Sequence, residues 1–116
     1  MVTHLFAGLP VSDLDAALDW YERFCGRPPD NRPNPDEAVW QLVPFGLIYV
    51  VRDPGRSGSG LLTLIVDDLD AMIEELAERG ITPHTVDVLP AIARRAVITD
   101  SDRNRLTLAQ LLPSDR

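Results

Sequence analysis

The chain has 116 residues, 45% hydrophobic and 25% charged, which suits one folding unit able to bury about two-thirds of its unfolded surface. Eighteen acidic against eleven basic residues give a net charge of −7, a balance that disfavours nucleic acid and anionic lipid, and no run approaches the roughly 18 apolar residues of a membrane span. Every basic residue is arginine, which excludes lysine Schiff-base chemistry, and the single Cys25 excludes an intrachain disulfide or a multi-cysteine metal site.

From Leu5 to Val11 the residues alternate like a strand and run into Ser12-Asp13, a helix-capping pair. Leu14, Leu18, Tyr21 and Cys25 then recur at helical spacing, so a helix is predicted over about 13–25. Ser12 and Asp15 form a weak capping box, and Gly26 followed by Pro28 and Pro29 supplies the stop. A weakly marked strand near 27–30 precedes two apolar runs, 38–43 and 47–51, joined as a hairpin by Pro44-Phe45-Gly46. The Gly- and Ser-rich stretch 53–60 reads as a flexible linker. Beyond it the pattern repeats. A strand over 61–66 leads to a helix carrying Leu69, Ile73 and Leu76 and closed by Gly80, with Glu75 and Arg79 placed as an exposed i,i+4 pair. A weak strand over 81–88 follows, then a hairpin of 93–99 and 106–112 about the turn Asp100-Ser101-Asp102-Arg103-Asn104.

The repetition is visible in the letters: Val11-Ser12-Asp13-Leu14-Asp15-Ala16 returns as Val66-Asp67-Asp68-Leu69-Asp70-Ala71, 55 residues later. Each copy reads β-α-β-β-β, and two such halves bury a core only by packing together. A ferredoxin-like βαββαβ sandwich, the alternative for two similar halves, needs only about half these strands.

A duplicated βαβββ unit with a Val-x-Asp-Leu-Asp junction in both copies, and an Asp-x-Asp-x-Asn turn before the last strand, resembles the vicinal oxygen chelate superfamily. That group includes glyoxalase I, extradiol dioxygenases and bleomycin-binding proteins. The resemblance implies an α+β fold in which two tandem βαβββ modules form a curved, cup-like mixed sheet with helices on the outside. One glyoxalase-like domain would span 1–116, with module one at 1–52, the linker at 53–60 and module two at 61–112.

Members of that family usually hold a divalent metal on the first and last strands of the modules. Counted from Asp13 and Asp68, the first-strand positions hold Phe6 and Leu61; the last-strand positions hold Thr107 and a residue near Ile48 or Tyr49. These are poor ligands for a hard divalent ion, so the expectation is a site with no metal and no cofactor. His4 lies one same-face step from Phe6 and is the fallback metal ligand.

Alternation puts His4, Phe6 and Gly8 on one face of the first strand and Leu61, Thr63 and Ile65 toward the second half of the cup. Trp40 and Tyr49 are aromatics with a polar handle. Phe6, Trp40, Tyr49, Leu61, Thr63 and Thr107 are therefore the expected lining of an aromatic, mostly neutral cup. Arg52 and Arg105 are candidates for an anionic ligand group, although surface solvation is their more ordinary role. Asp13, Asp15, Asp68 and Asp70 fit helix N-termini better than catalysis, and Cys25 fits packing better than nucleophilic attack.

The expected function is metal-independent small-molecule binding by a homodimer in the cytoplasm, with no nucleic-acid or membrane partner. If the protein is an enzyme, the resemblance implies a metal-dependent lyase or dioxygenase with displaced ligands such as His4, His84 or Glu37.

Overall fold

The computed structural model describes residues 1–113. Its elements run β1 (Leu5–Val11), α1 (Leu14–Cys25), β2 (Asn31–Asn34), β3 (Glu37–Val43), β4 (Gly46–Arg52), β5 (Leu61–Ile65), α2 (Leu69–Glu78), β6 (Thr85–Leu89), β7 (Ala93–Thr99) and β8 (Arg105–Leu111). This is α+β architecture built from two βαβββ modules, with too many strands for a ferredoxin-like sandwich. The eight strands form two separate four-stranded mixed sheets, ordered β1-β4-β3-β2 and β5-β8-β7-β6.

Within each module the first strand pairs parallel to the last, Leu9 beside Val50 in one and Leu64 beside Leu108 in the other. A parallel neighbour requires a crossover, which the helix supplies. The remaining pairs are antiparallel.

The repeated hexapeptide is explained by capping. Asp13 and Asp68 have extended backbones and accept from the N–H groups of Ala16 (3.3 Å) and Ala71 (3.0 Å), which satisfies donors the first helical turn would otherwise leave free. Asp13, not Ser12, is thus the cap of α1. The Ser12 hydroxyl instead donates to Asp102 at 2.6 Å, across the modules. Leu14, Ala17, Tyr21 and Phe24 form the buried stripe of α1, and Gly26 ends it at φ 77°, a left-handed conformation that glycine adopts without Cβ strain. Leu69 and Leu76 are the corresponding buried residues of α2.

Both weakly marked strands begin later than the sequence pattern predicts. Pro28 and Pro29 have no N–H to donate to a ladder, and β2 starts only at Asn31. The Ile81 N–H donates to the Leu76 carbonyl at 2.9 Å, extending the helix end, so β6 starts after Pro83. The expected Glu75–Arg79 surface pair is also absent among the described residues. The Arg79 guanidinium turns to the C-terminal carbonyls of α1, those of Arg23 and Phe24, while Arg23 donates to the Arg79 carbonyl at 3.3 Å.

The linker is tied down. Its turns are closed by Arg56 N–H to Asp53 C=O (3.1 Å) and Ser59 N–H to Arg56 C=O (3.1 Å), and Gly60 exchanges bonds with Asn104 and Arg105. Residues of both modules share one buried core, including Leu9, Val50, Tyr21 and Trp40 from module one and Leu76, Ile98, Leu106 and Leu108 from module two.

A polar knot fastens the halves together. Asp100, 6% exposed, accepts from the Tyr21 hydroxyl (2.7 Å), the Asn104 amide group (2.8 Å) and the backbone N–H groups of Asp102 and Asn104 (both 2.9 Å). Asn104, 0% exposed, also donates to the Pro10 carbonyl (2.7 Å) and accepts from the Gly60 N–H (2.8 Å). Burial, reinforced by Asp100, holds the Tyr21 hydroxyl in its protonated form far above the ordinary tyrosine range. The Asp-x-Asp-x-Asn turn is a structural joint between modules.

Candidate ligand-binding site

Each sheet buries one face against its helix and leaves the other open. In module one, register and burial assign Ala7, Leu9, Ile48, Val50, Ala38 and Trp40 to the core side. Phe6, Gly8, Leu47 and Tyr49 occupy the open side. Phe6 and Tyr49 pack against each other there, ring centroids 6.3 Å apart. Gly8 makes this possible: a Cβ on it would lie 2.6 Å from the Tyr49 ring carbon Cζ and hydroxyl, so the ring crosses β1 only because no side chain stands there.

Trp40 does not line the open face. It is paired with Ile48, fully buried, 6.1 Å from the Tyr21 ring, and its indole N–H donates to the Arg27 carbonyl at 3.0 Å. An indole whose one polar atom is satisfied from the core side is packing material.

In module two the open face carries Leu61, Thr63 and Ile65 of β5, Arg105, Thr107 and Ala109 of β8, Arg95, Val97 and Thr99 of β7, and Thr85 and Asp87 of β6. Most of these line a hollow of about 480 Å³ to which module one contributes no residue. It contains no aromatic side chain. Its charged groups are Asp87, Arg95 and Arg105, so the expected aromatic, neutral character belongs to the module-one face alone. A hollow of about 310 Å³ joins Gly8, Pro10 and Tyr49 to the linker and Leu61. A larger groove of about 690 Å³ runs between the modules, with Phe6, Phe24 and Leu47 of module one and Leu62, Leu64 and Met72 of module two in its wall.

The six expected lining residues are thus distributed. Leu61, Thr63 and Thr107 come together in the module-two hollow, Phe6 and Tyr49 come together on the module-one face, and Leu61 alone reaches both hollows that flank the linker. Arg95, Asp87 and Thr85 were missed by sequence reasoning. The signal was the two-residue alternation of β6 and β7, obscured because the start of β6 is displaced by Pro83.

The donor set does not fit a hard divalent ion. The positions at which the resemblance implies metal ligands hold Phe6, Leu61, Thr107 and a residue near Ile48 or Tyr49, and no group of three or more His, Cys, Asp or Glu is placed to hold a metal among the described residues. His4 is exposed, bonds the Thr3 hydroxyl at 2.9 Å and meets the Phe45 ring edge-on at 5.5 Å. His84 is engaged with the Thr99 hydroxyl. No step of a reaction is therefore assigned to a metal.

Cys25 borders the inter-module groove, where burial pushes its thiol up to about 12, Arg27 and Arg79 lowering it against Asp30. At neutral pH it is a thiol, not a nucleophile. No helix among the described residues is long and apolar enough to cross a membrane.

The comparisons with known proteins agree with this fold. A model of the Glyoxalase/Bleomycin resistance protein/Dioxygenase superfamily matches residues 2–108. The crystal structure of a glyoxalase/bleomycin resistance protein from Catenulispora acidiphila DSM 44928 is 36% identical, with a TM-score of 0.89 over 95% of this chain and 98% of that one. TnmS3, an antibiotic binding protein from Streptomyces sp. CB03234, is 26% identical with a TM-score of 0.74, covering 97% of this chain and 98% of its own. A bleomycin-binding protein complexed with bleomycin shares the fold at 21% identity and a TM-score of 0.76, over 92% and 97% of the two chains. No curated protein matches the sequence.

Proposed function

The chain belongs to the glyoxalase/bleomycin resistance protein/dioxygenase superfamily, and from that premise we propose that it is a metal-independent small-molecule binding protein whose ligand lies on the open sheet faces. The observation that carries this reading is the aromatic pair on the module-one open face: Phe6, at an implied ligand position, packs against Tyr49 and offers an ion neither oxygen nor imidazole. Such a pair offers π-faces and one hydroxyl to a planar, partly apolar compound. Sequestration needs nothing more, and the likeness to antibiotic- and bleomycin-binding proteins points the same way.

A homodimer completes the reading. Phe6, Leu61 and Ile65 are 57%, 80% and 60% exposed on the open faces. The radius of gyration is 14.7 Å, against roughly 13 Å for a compact chain of this length. A second copy laid over these faces would bury that apolar surface and enclose the ligand. The single free thiol is compatible with a reducing compartment, which supports a cytoplasmic location in this reading.

The test is a thermal-shift screen of metal-stripped protein against planar aromatic compounds and antibiotics, with light scattering for mass. Hits should raise Tm by several degrees at saturation, lose that effect in Tyr49→Ala, and bind a species of twice 12.9 kDa. Binding that appears only after a divalent metal is restored would overturn the proposal.

A further inference from the structure

The module-two hollow has a polarity that the rest of the molecule does not share. The protein carries a net charge of −7, yet the charged residues of this hollow are two arginines and one aspartate. The aspartate is already committed. Asp87 lies directly across from Arg95 in the β6–β7 register and takes both arms of its guanidinium at 3.0 Å each. That fork-to-fork geometry gives each carboxylate oxygen a guanidinium donor and cancels one of the two positive charges.

Arg105 is left over. It is exposed and has no side-chain hydrogen bond or ion pair among the described residues. The register puts the hydroxyls of Thr63 and Thr107 in the row beside it. Arg105 sits between Leu61 and Thr99 in one row, and the next row on the same face runs Thr63, Thr107, Val97, Thr85. Successive same-face residues of a strand are about 7 Å apart, so an arginine side chain spans the step from Arg105 to Thr107. A guanidinium unpaired among the described residues, beside a row of hydroxyl donors and with no free carboxylate lining the same hollow among those residues, is complementary to an oxyanion.

We infer that the ligand carries an oxyanion, a carboxylate or a phosphate, which Arg105 binds in bidentate fashion on the module-two face with the Thr63 and Thr107 hydroxyls. This rests on the proposed small-molecule function and narrows it to organic anions. The apolar Leu61, which lines this hollow and the neighbouring one beside Tyr49, places the organic part of such a ligand next to the anion site.

The test is a calorimetric comparison of 1-naphthoate, 1-naphthyl phosphate and 1-naphthamide, which share a ring system and differ in charge, on the full chain and on Arg105→Gln and Arg32→Gln. Arg32 is the control, an exposed arginine of β2 outside the hollow whose loss changes net charge equally. At least one anion should bind about tenfold more tightly than the amide. Arg105→Gln should erase the advantage, Arg32→Gln should keep it, and the better anion identifies the group. Equal binding of all three probes, or an advantage that survives Arg105→Gln, overturns the inference and leaves small-molecule binding standing. Failure of all three to bind overturns both.

Discussion

Replacing Asn104 by alanine should loosen the joint between the modules. The Asn104 side chain makes three hydrogen bonds, to Gly60 of the linker, Pro10 of module one and Asp100 of its own turn, at 2.7–2.8 Å. Each is worth about 1 kcal/mol net, and the buried Gly60 N–H, left without a partner, adds about 1 kcal/mol or more of desolvation cost. The expected loss is about 3–4 kcal/mol, a large part of the roughly 5–15 kcal/mol available to a domain. Urea unfolding followed by tryptophan fluorescence reads it directly, as a midpoint lowered by more than about 1 M. Tyr21→Phe, which removes one of the four donors to Asp100, should cost about 1–2 kcal/mol by the same reasoning. An Asn104→Ala loss below about 1 kcal/mol, well under these hydrogen-bond magnitudes, would refute the assignment of this turn as the joint.

Gly58→Ala should destabilise by about 2 kcal/mol or more, because the residue has φ 84° and a Cβ would stand 2.3 Å from the Asp102 carbonyl oxygen; thermal unfolding checks it. Gly8→Ala should displace the Tyr49 ring from its place across β1 and weaken aromatic ligands about tenfold while costing less than about 2 kcal/mol of stability, read by titration and near-ultraviolet dichroism. Cys25, raised from 9.0 to about 12, should react with iodoacetamide at pH 8 about a thousandfold more slowly than a free cysteine, with a rate still climbing above pH 11. The same shift sets a sign for stability. The unfolded thiol ionises first, so stability contributed by the buried thiol is whole below about pH 9 and is lost progressively toward pH 12.

Where one face of an element is apolar and the other polar, the sequence was enough to locate it. Leu5–Val11 and Ala93–Thr99 have the predicted bounds, and the Asp13 and Asp68 helix starts follow from capping chemistry that is local in the chain. The strands near Pro28-Pro29 and Pro83 begin later than expected because those prolines have no N–H to give a ladder, and neither segment carries a strong strand pattern of its own. Trp40 was assigned to the wrong face for a different reason: Ala38-Val39-Trp40 is continuously apolar, so alternation carries no parity, and only pairing with Ile48 decides it. The charge of the module-two hollow depends on Asp87 meeting Arg95 across two strands, a fact of register that no local pattern contains.

The central claim is that a fold known for holding metals here holds ligands without one, and calorimetric titration of chelator-treated protein with Zn²⁺, Ni²⁺ and Mn²⁺ tests it most directly. The account predicts no stoichiometric uptake and an aromatic-ligand affinity unchanged by metal or chelator. One tightly bound metal per chain, lost in His4→Ala, would contradict it.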